Sequence, residues 1–248
     1  MIRSMLTRNL TSTKGLATRV GLLAASILAA TGGAANAQWR MLYQNDFEAR
    51  EFSYEWSSNT RLESWYPSFT TFNGNYSSEF TQLTLRAVPR DGGRNGQTGD
   101  GSGGGSGDGG MYRVKFDLYI IDSWDGSERT YGVDRLQVLA NTRSIFDNTF
   151  SNHNRANQSF SAPQTGGRNL GFHDGWNDAI YRNITLEIPA SAVGDRLVVR
   201  WQDTGLQGVN DESWGIDNVE VSYNPVPTPG TGAAALAAAG LLSWRRRR

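Results

Sequence analysis

From residue 38 to residue 224 the chain alternates apolar and polar positions with a period of two, the pattern of strands that bury one face. Trp39–Phe47 reads as the first strand. Phe80–Val88 alternates cleanly, and Met111–Ile121 is the strongest candidate, its apolar positions crowding toward the Ile121 end. Arg135–Ala140, Ser144–Phe150, Ile180–Ile188, Arg196–Trp201 and Trp214–Tyr223 complete the set. No 3.6-residue periodicity between them lasts long enough for a crossover helix, so neighbouring strands should run antiparallel. Only Pro189–Val193 reads as briefly helical. The expected architecture is all-β: an antiparallel two-sheet sandwich of jelly-roll type, with one core and long loops.

One segment breaks the pattern. Asp91–Gly110 holds 11 glycines in 20 residues and has almost no side chain to bury, so it reads as a flexible glycine-rich loop. A glycine–aspartate calcium repeat would need a large apolar residue in each turn, and a phosphate loop would need a lysine and a following helix. Neither condition is met.

Composition narrows the chemistry. The 248 residues include no cysteine, which excludes a disulfide scaffold, a thiolate metal site and a thiol nucleophile. Two histidines exclude a three-His metal site. Basic and acidic residues balance at 24 each, but the balance is uneven along the chain. Arg3, Arg8, Lys14 and Arg19 stand in an acid-free first segment, and Arg245–Arg248 close the chain. Without those eight cations the body carries 16 basic against 24 acidic residues. An acidic body argues against nucleic-acid binding, which needs a basic face, and suits a protein that holds divalent cations.

Both ends read as addresses. A basic stretch to Arg19, an apolar run over Val20–Ala30 and small residues ending at Ala35 and Ala37 predict a signal peptide, residues 1–37, cut after Ala37. The C-terminal segment, residues 225–248, combines a proline linker with Pro227 and Pro229, an apolar run over Gly230–Trp244, and the cluster Arg245, Arg246, Arg247 and Arg248. As a helix the run would reach about 22 Å, short of the roughly 30 Å hydrocarbon core. This three-part order resembles the PEP-CTERM sorting signal of bacteria, with Thr228 where that signal usually has glutamate. The resemblance implies an exosortase-type sorting protease as partner, at least transient membrane contact through the tail, and delivery to the cell surface or matrix.

Candidate chemistry lies in the body, residues 38–224. His153 and His173 stand in polar loops with no Gly-x-Ser-x-Gly elbow, so no catalytic residue is assigned. Calcium takes six to eight oxygens from flexible turns, and two acidic groups offer them. The first is Asp46 and Glu48 at the end of the first strand, with Asp217 in the last; pairing of first and last strands would gather all three. The second is Asp122 and Asp125 in the Ile120–Gly126 loop, with Asp134 and Asp211-Glu212. Among the aromatics, Trp56, Trp65, Trp124 and Trp176 fall in loop-like contexts. Trp124 and Trp176, beside Asp and Asn, are the candidate carbohydrate-stacking rings, whereas Trp201 and Trp214 occupy strand positions.

Phe116–Gly126, Asp134-Arg135, Thr149–Asn152 and Asp211–Val219 together resemble a recurrent secreted bacterial β-sandwich module, similar in outline to concanavalin-like and carbohydrate-binding jelly rolls. The resemblance covers Phe80–Tyr223 and implies fold and location rather than an activity. The expectation is an exported surface or matrix protein, calcium-stabilised, with a structural, adhesive or extracellular-polysaccharide-binding role. The alternative is a polysaccharide hydrolase or lyase using Asp122/Asp125 or Asp211/Glu212 as its carboxylate pair.

Overall fold

Eleven strands follow one another in a computed structural model that describes residues 38–51, 53–57, 60–64, 69–89, 109–173 and 175–225. They are β1 (Arg40–Asn45), β2 (Leu62–Glu63), β3 (Phe72–Tyr76), β4 (Phe80–Arg86), β5 (Met111–Asp122), β6 (Arg135–Ala140), β7 (Arg143–Thr149), β8 (Thr165–Arg168), β9 (Asp178–Pro189), β10 (Arg196–Thr204) and β11 (Glu212–Asn224). Two short 3-10 turns, Arg155–Asn157 and Ala190–Ala192, are the helical elements among the described residues. The signal-peptide residues, most of the glycine-rich loop, Trp65 and the sorting residues lie outside the described set.

The strands form two antiparallel sheets. The larger runs β2-β3-β11-β5-β9-β8, with β1 also on β11; the smaller runs β4-β10-β6-β7. First and last strands do pair, with Arg40 opposite Tyr223 and Asn45 opposite Val219. β3 takes the other half of the same edge, opposite Trp214–Ile216. The main core lies between the sheets: Val114, Phe116 and Ile216 of the larger sheet meet Leu83, Val138 and Val199 of the smaller. Trp201 sits at its centre, with its ring centroid 5.9 Å from Trp56 and 5.6 Å from Phe116.

Beyond a register shift between Phe116 and Leu118, β5 buries both faces. Leu118 and Ile120 continue the main core. Tyr119 and Ile121, pointing the opposite way, join Phe69, Phe72, Leu170, Phe172 and Ile180 in a second cluster. Two segments outside the sandwich proper, around Phe69 and Leu170, therefore roof this end of the larger sheet. That double cover explains why the apolar pattern of Met111–Ile121 thickens toward its end.

Three strands escape the alternation argument. β2 has only two residues, and β8 (TGGR) and β3 (FNGNY) carry glycines and asparagines that rarely favour strands. Asn73 is tolerated because its amide is satisfied inside: it donates to Thr81 Oγ1 at 3.2 Å and accepts from Tyr76 at 2.5 Å. Gly74 faces Gly215 across the strands, and the Phe72 ring lies over this bare patch. A Cβ on Gly215 would come within 2.3 Å of that ring.

Gly215→Ala should therefore displace Phe72 from a site where it is fully buried. The expected loss is about 1–3 kcal/mol, as for overpacking generally. Urea unfolding reads it; an unchanged midpoint would mean that the ring and its roof yield freely.

Candidate metal centre

The loop leaving β5 is drawn in by Trp124. Its indole is fully buried in the main core and donates to the Ser213 carbonyl at 2.8 Å. Ser123 adds a backbone bond to the Asp211 carbonyl at 3.0 Å, fastening this loop to the start of β11. The chain then returns at Asp134, whose amide donates to the Gly126 carbonyl at 2.8 Å. Asp134 Oδ2 accepts from the amides of Asp125 and, at 3.2 Å, Gly126, so one carboxylate oxygen shapes the Asp-Gly turn. Glu212 Oε2 likewise accepts from the Gln207 amide at 3.0 Å and closes the loop before β11.

These bonds leave a remainder. Asp125, Asp134 and Glu212 each place a carboxylate oxygen within 4.8 Å of the others, and among the described residues they are the one such group of three. Asp134 and Glu212 are fully buried, and Asp134 Oδ1 and Glu212 Oε1 have no donor from outside the pair, the two carboxyls bonding to each other. Burial pushes both carboxyls above their ordinary range, and the negative charge of Asp134 raises Glu212 further. Asp125, only half-buried, is raised too, again first by burial. Two such carboxylates cannot both stay ionised and unpaired in a low-dielectric site. They either share a proton or hold a cation. An all-oxygen carboxylate set with one member open to solvent fits a hard divalent cation such as calcium.

The second predicted group is thus only partly gathered. Asp125 and Asp134 come together with Glu212, but Asp122 does not join them. Asp122 ends β5 in the left-handed region, φ 67°, and its buried carboxylate meets His173 Nδ1 at 2.6 Å. Burial outweighs the imidazole and pushes the Asp122 carboxyl up to about 6. Asp178 braces this pair, accepting from the amides of Asp122 at 3.0 Å and Leu170 at 2.7 Å. A buried acid holding an exposed-edge histidine is the geometry of an oriented base, yet no Ser or Thr hydroxyl among the described residues bonds to that ring. Asp211 is engaged elsewhere, accepting from Ser123 Oγ at 2.7 Å.

The first predicted group is corrected. Strand pairing brings Asp46, Glu48 and Asp217 to one end of the sheet, but their carboxylate oxygens do not gather into one ligand group, and one oxygen of Asp46 and of Glu48 and both of Asp217 accept from protein donors. Asp46 Oδ1 accepts from the Glu48 amide at 3.2 Å, and Glu48 Oε1 from the Thr71 amide at 2.9 Å. The buried Asp217 accepts from Thr70 Oγ1 and Tyr119 OH, both at 2.8 Å, and from the Asn218 amide at 2.7 Å. Glu48 and Asp217 clamp the Thr70-Thr71 segment onto the sheet. Trp124 is corrected as well: a ring with no exposed face cannot stack on a sugar. Trp176 is 46% exposed, and Trp56 is buried against the core. The Asp122–His173 pair and the exposed Tyr131 had no local signal, since their surroundings come from distant parts of the chain.

Fold and site together define an all-β protein of two antiparallel sheets with a buried acidic centre where β5 and β11 meet. No family model and no curated protein matches the chain. Among solved structures, the dimeric latent PorU from Porphyromonas gingivalis is similar over 81% of this chain and 14% of that one, at 14% identity and a TM-score of 0.40. The chain therefore spans about one seventh of that protein's length.

The acidic centre dictates how stability should vary with pH in EDTA. Asp134 and Glu212 hold protons more tightly folded than unfolded. Their protonation therefore stabilises the fold fully below the ordinary carboxylate range, and this contribution is lost as pH rises through the raised folded values. The free energy of unfolding should fall from pH 5 to pH 9, by about 1–3 kcal/mol. Glu212→Gln removes the like charge and should flatten that decline; an equally steep decline in the variant would place its cause elsewhere.

Proposed function

We propose that this chain is an exported β-sandwich of jelly-roll type, held at the cell surface or in its matrix and stabilised by a divalent cation, calcium by its oxygen ligands. Its role is structural or adhesive, with extracellular polysaccharide as the ligand class. The observation that carries the reading is the pair of fully buried carboxyls, Asp134 and Glu212, pressed together beside Asp125 with an oxygen of each reached by no donor from outside the pair. A cation there would tie three chain segments together: the turn after β5, the entry to β6 and the start of β11. Export and sorting rest on the terminal sequences alone. The tail, with its exosortase-type partner, supports a surface location.

Two buried carboxyls pressed together need a shared proton or a cation, whereas Glu48 and Asp217 at the β1–β11 end accept from protein donors. That contrast gives the test. Thermal unfolding of the full chain should shift upward as calcium is added to the EDTA-treated protein. The gain follows RT ln(1 + [L]/Kd), about 2.7 kcal/mol at a hundredfold excess over Kd. Asp134→Asn and Glu212→Gln should abolish the shift. Asp217→Asn should lower stability and keep it. No shift at saturating calcium would overturn the reading.

A further inference from the structure

Between Gly126 and Asp134 the chain belongs to no strand, and Ser127, Arg129, Thr130 and Tyr131 are exposed. Most of the bonds that fasten this loop run through residues of the acidic centre. At its neck the Asp134 amide donates to the Gly126 carbonyl at 2.8 Å, and Asp134 Oδ2 accepts from the amides of Asp125 and Gly126. Further along, Gln207 Nε2 donates to the Tyr131 carbonyl at 2.5 Å, and the amide of the same Gln207 donates to Glu212 Oε2 at 3.0 Å. One tie lies outside the centre: the Ser127 amide and hydroxyl donate to the Asn157 carbonyl at 2.6 Å and 2.7 Å. Asp125 and Asp134 therefore close the loop and also supply two of the three gathered carboxyls, which Glu212 completes from the start of β11.

We propose that this centre is the lock of the loop: the bound cation keeps the chain between Gly126 and Asp134 closed to proteases, and its loss opens the Arg129–Thr130 bond to an endopeptidase that cuts after arginine. The inference rests on the cation reading above. A protease takes its substrate extended over several residues, so a loop fastened at its neck is cut only when it opens. Opening parts Asp125 and Asp134 from Glu212, and the open loop then holds no cation. Without a cation, three carboxyls within 4.8 Å of one another weigh against closure. Arg129 is the only Lys or Arg between Lys115 and Arg135, and it stands in the exposed stretch of the loop, where nicking concentrates. None of the fastening bonds uses its side chain. Hydrolysis adds one water, leaving a carboxylate on Arg129 and an amine on Thr130. Loss of calcium then becomes the signal for turnover of the protein.

The full chain would be digested with trypsin in EDTA and in calcium, with Kd taken from the calcium dependence of thermal unfolding. A peptide of residues 124–136, digested alongside, corrects for any response of trypsin itself to calcium. Cutting after Arg129, read by fragment mass, should slow about hundredfold at a hundredfold excess of calcium over Kd, because only the closed loop binds. Asp134→Asn should be cut equally fast in both buffers. Arg129→Gln should lose the cut and keep the full calcium-induced thermal shift. A full thermal shift with equal cutting in calcium and EDTA, or with no cut after Arg129 in EDTA, would overturn the lock and leave the cation centre standing. Protection of Lys115 and Arg135, within strands β5 and β6, by the same factor would assign the effect to global unfolding and reject the lock as well. Absence of the thermal shift in the parent protein would overturn both readings.

Discussion

Everything in this sandwich hangs on the pairing of β5 with β11 at the middle of the larger sheet. The register runs from Met111 opposite Asn224 to Asp122 opposite Glu212. One end of this pair is a strand ladder covered by the smaller sheet. At the other end it is covered on both faces, by Trp124, Trp214 and Leu118 inside and by Phe69, Phe72 and Phe172 outside. Water is driven from that end, so any charge placed there is desolvated. The chain puts many acids there: Asp122, Asp134, Asp178, Asp203, Glu212 and Asp217 are all buried.

Burial of a carboxylate is tolerable only where donors surround it. Most of these acids are used as internal fasteners. Asp203 holds the Ser78–Glu79 turn through two amides and takes the Trp214 indole N–H at 2.6 Å. Asp178 holds two amides, and Asp217 ties two side chains and an amide across the sheet. Only after this distribution can the exceptional group be recognised. Asp134 and Glu212 each spend one oxygen on loop closure and leave another that no donor from outside the pair reaches. The same residues that shape the loops therefore create the electrostatic demand that a cation would meet.

The aromatic residues divide by the same logic. Trp124 and Trp176 look alike in the sequence, each beside Asp or Asn in a polar loop. Trp124 is swallowed because Ser213 offers its carbonyl to the indole and Phe150 packs against the ring at 6.1 Å. Trp176 stays at the surface. Tyr131 reads as an ordinary loop residue until the Gln207 bonds show that its loop is clasped to the acidic centre.

Period-two alternation, turn residues and the absence of helical periodicity were sufficient to determine an all-β chain with antiparallel sheets, because each is a local property of a strand. They also placed β5, β6, β7, β9, β10 and β11 to within a few residues. The pairing of β1 with β11 followed from chain order. What only the tertiary structure decided is which polar groups are left over. β3 exists because Gly74 and Gly215 meet under Phe72, and Asp122 leaves the acidic group because His173, 51 residues away, claims it. Hydrogen-bond competition and desolvation are settled among residues far apart in the chain, and no window of sequence contains both competitors.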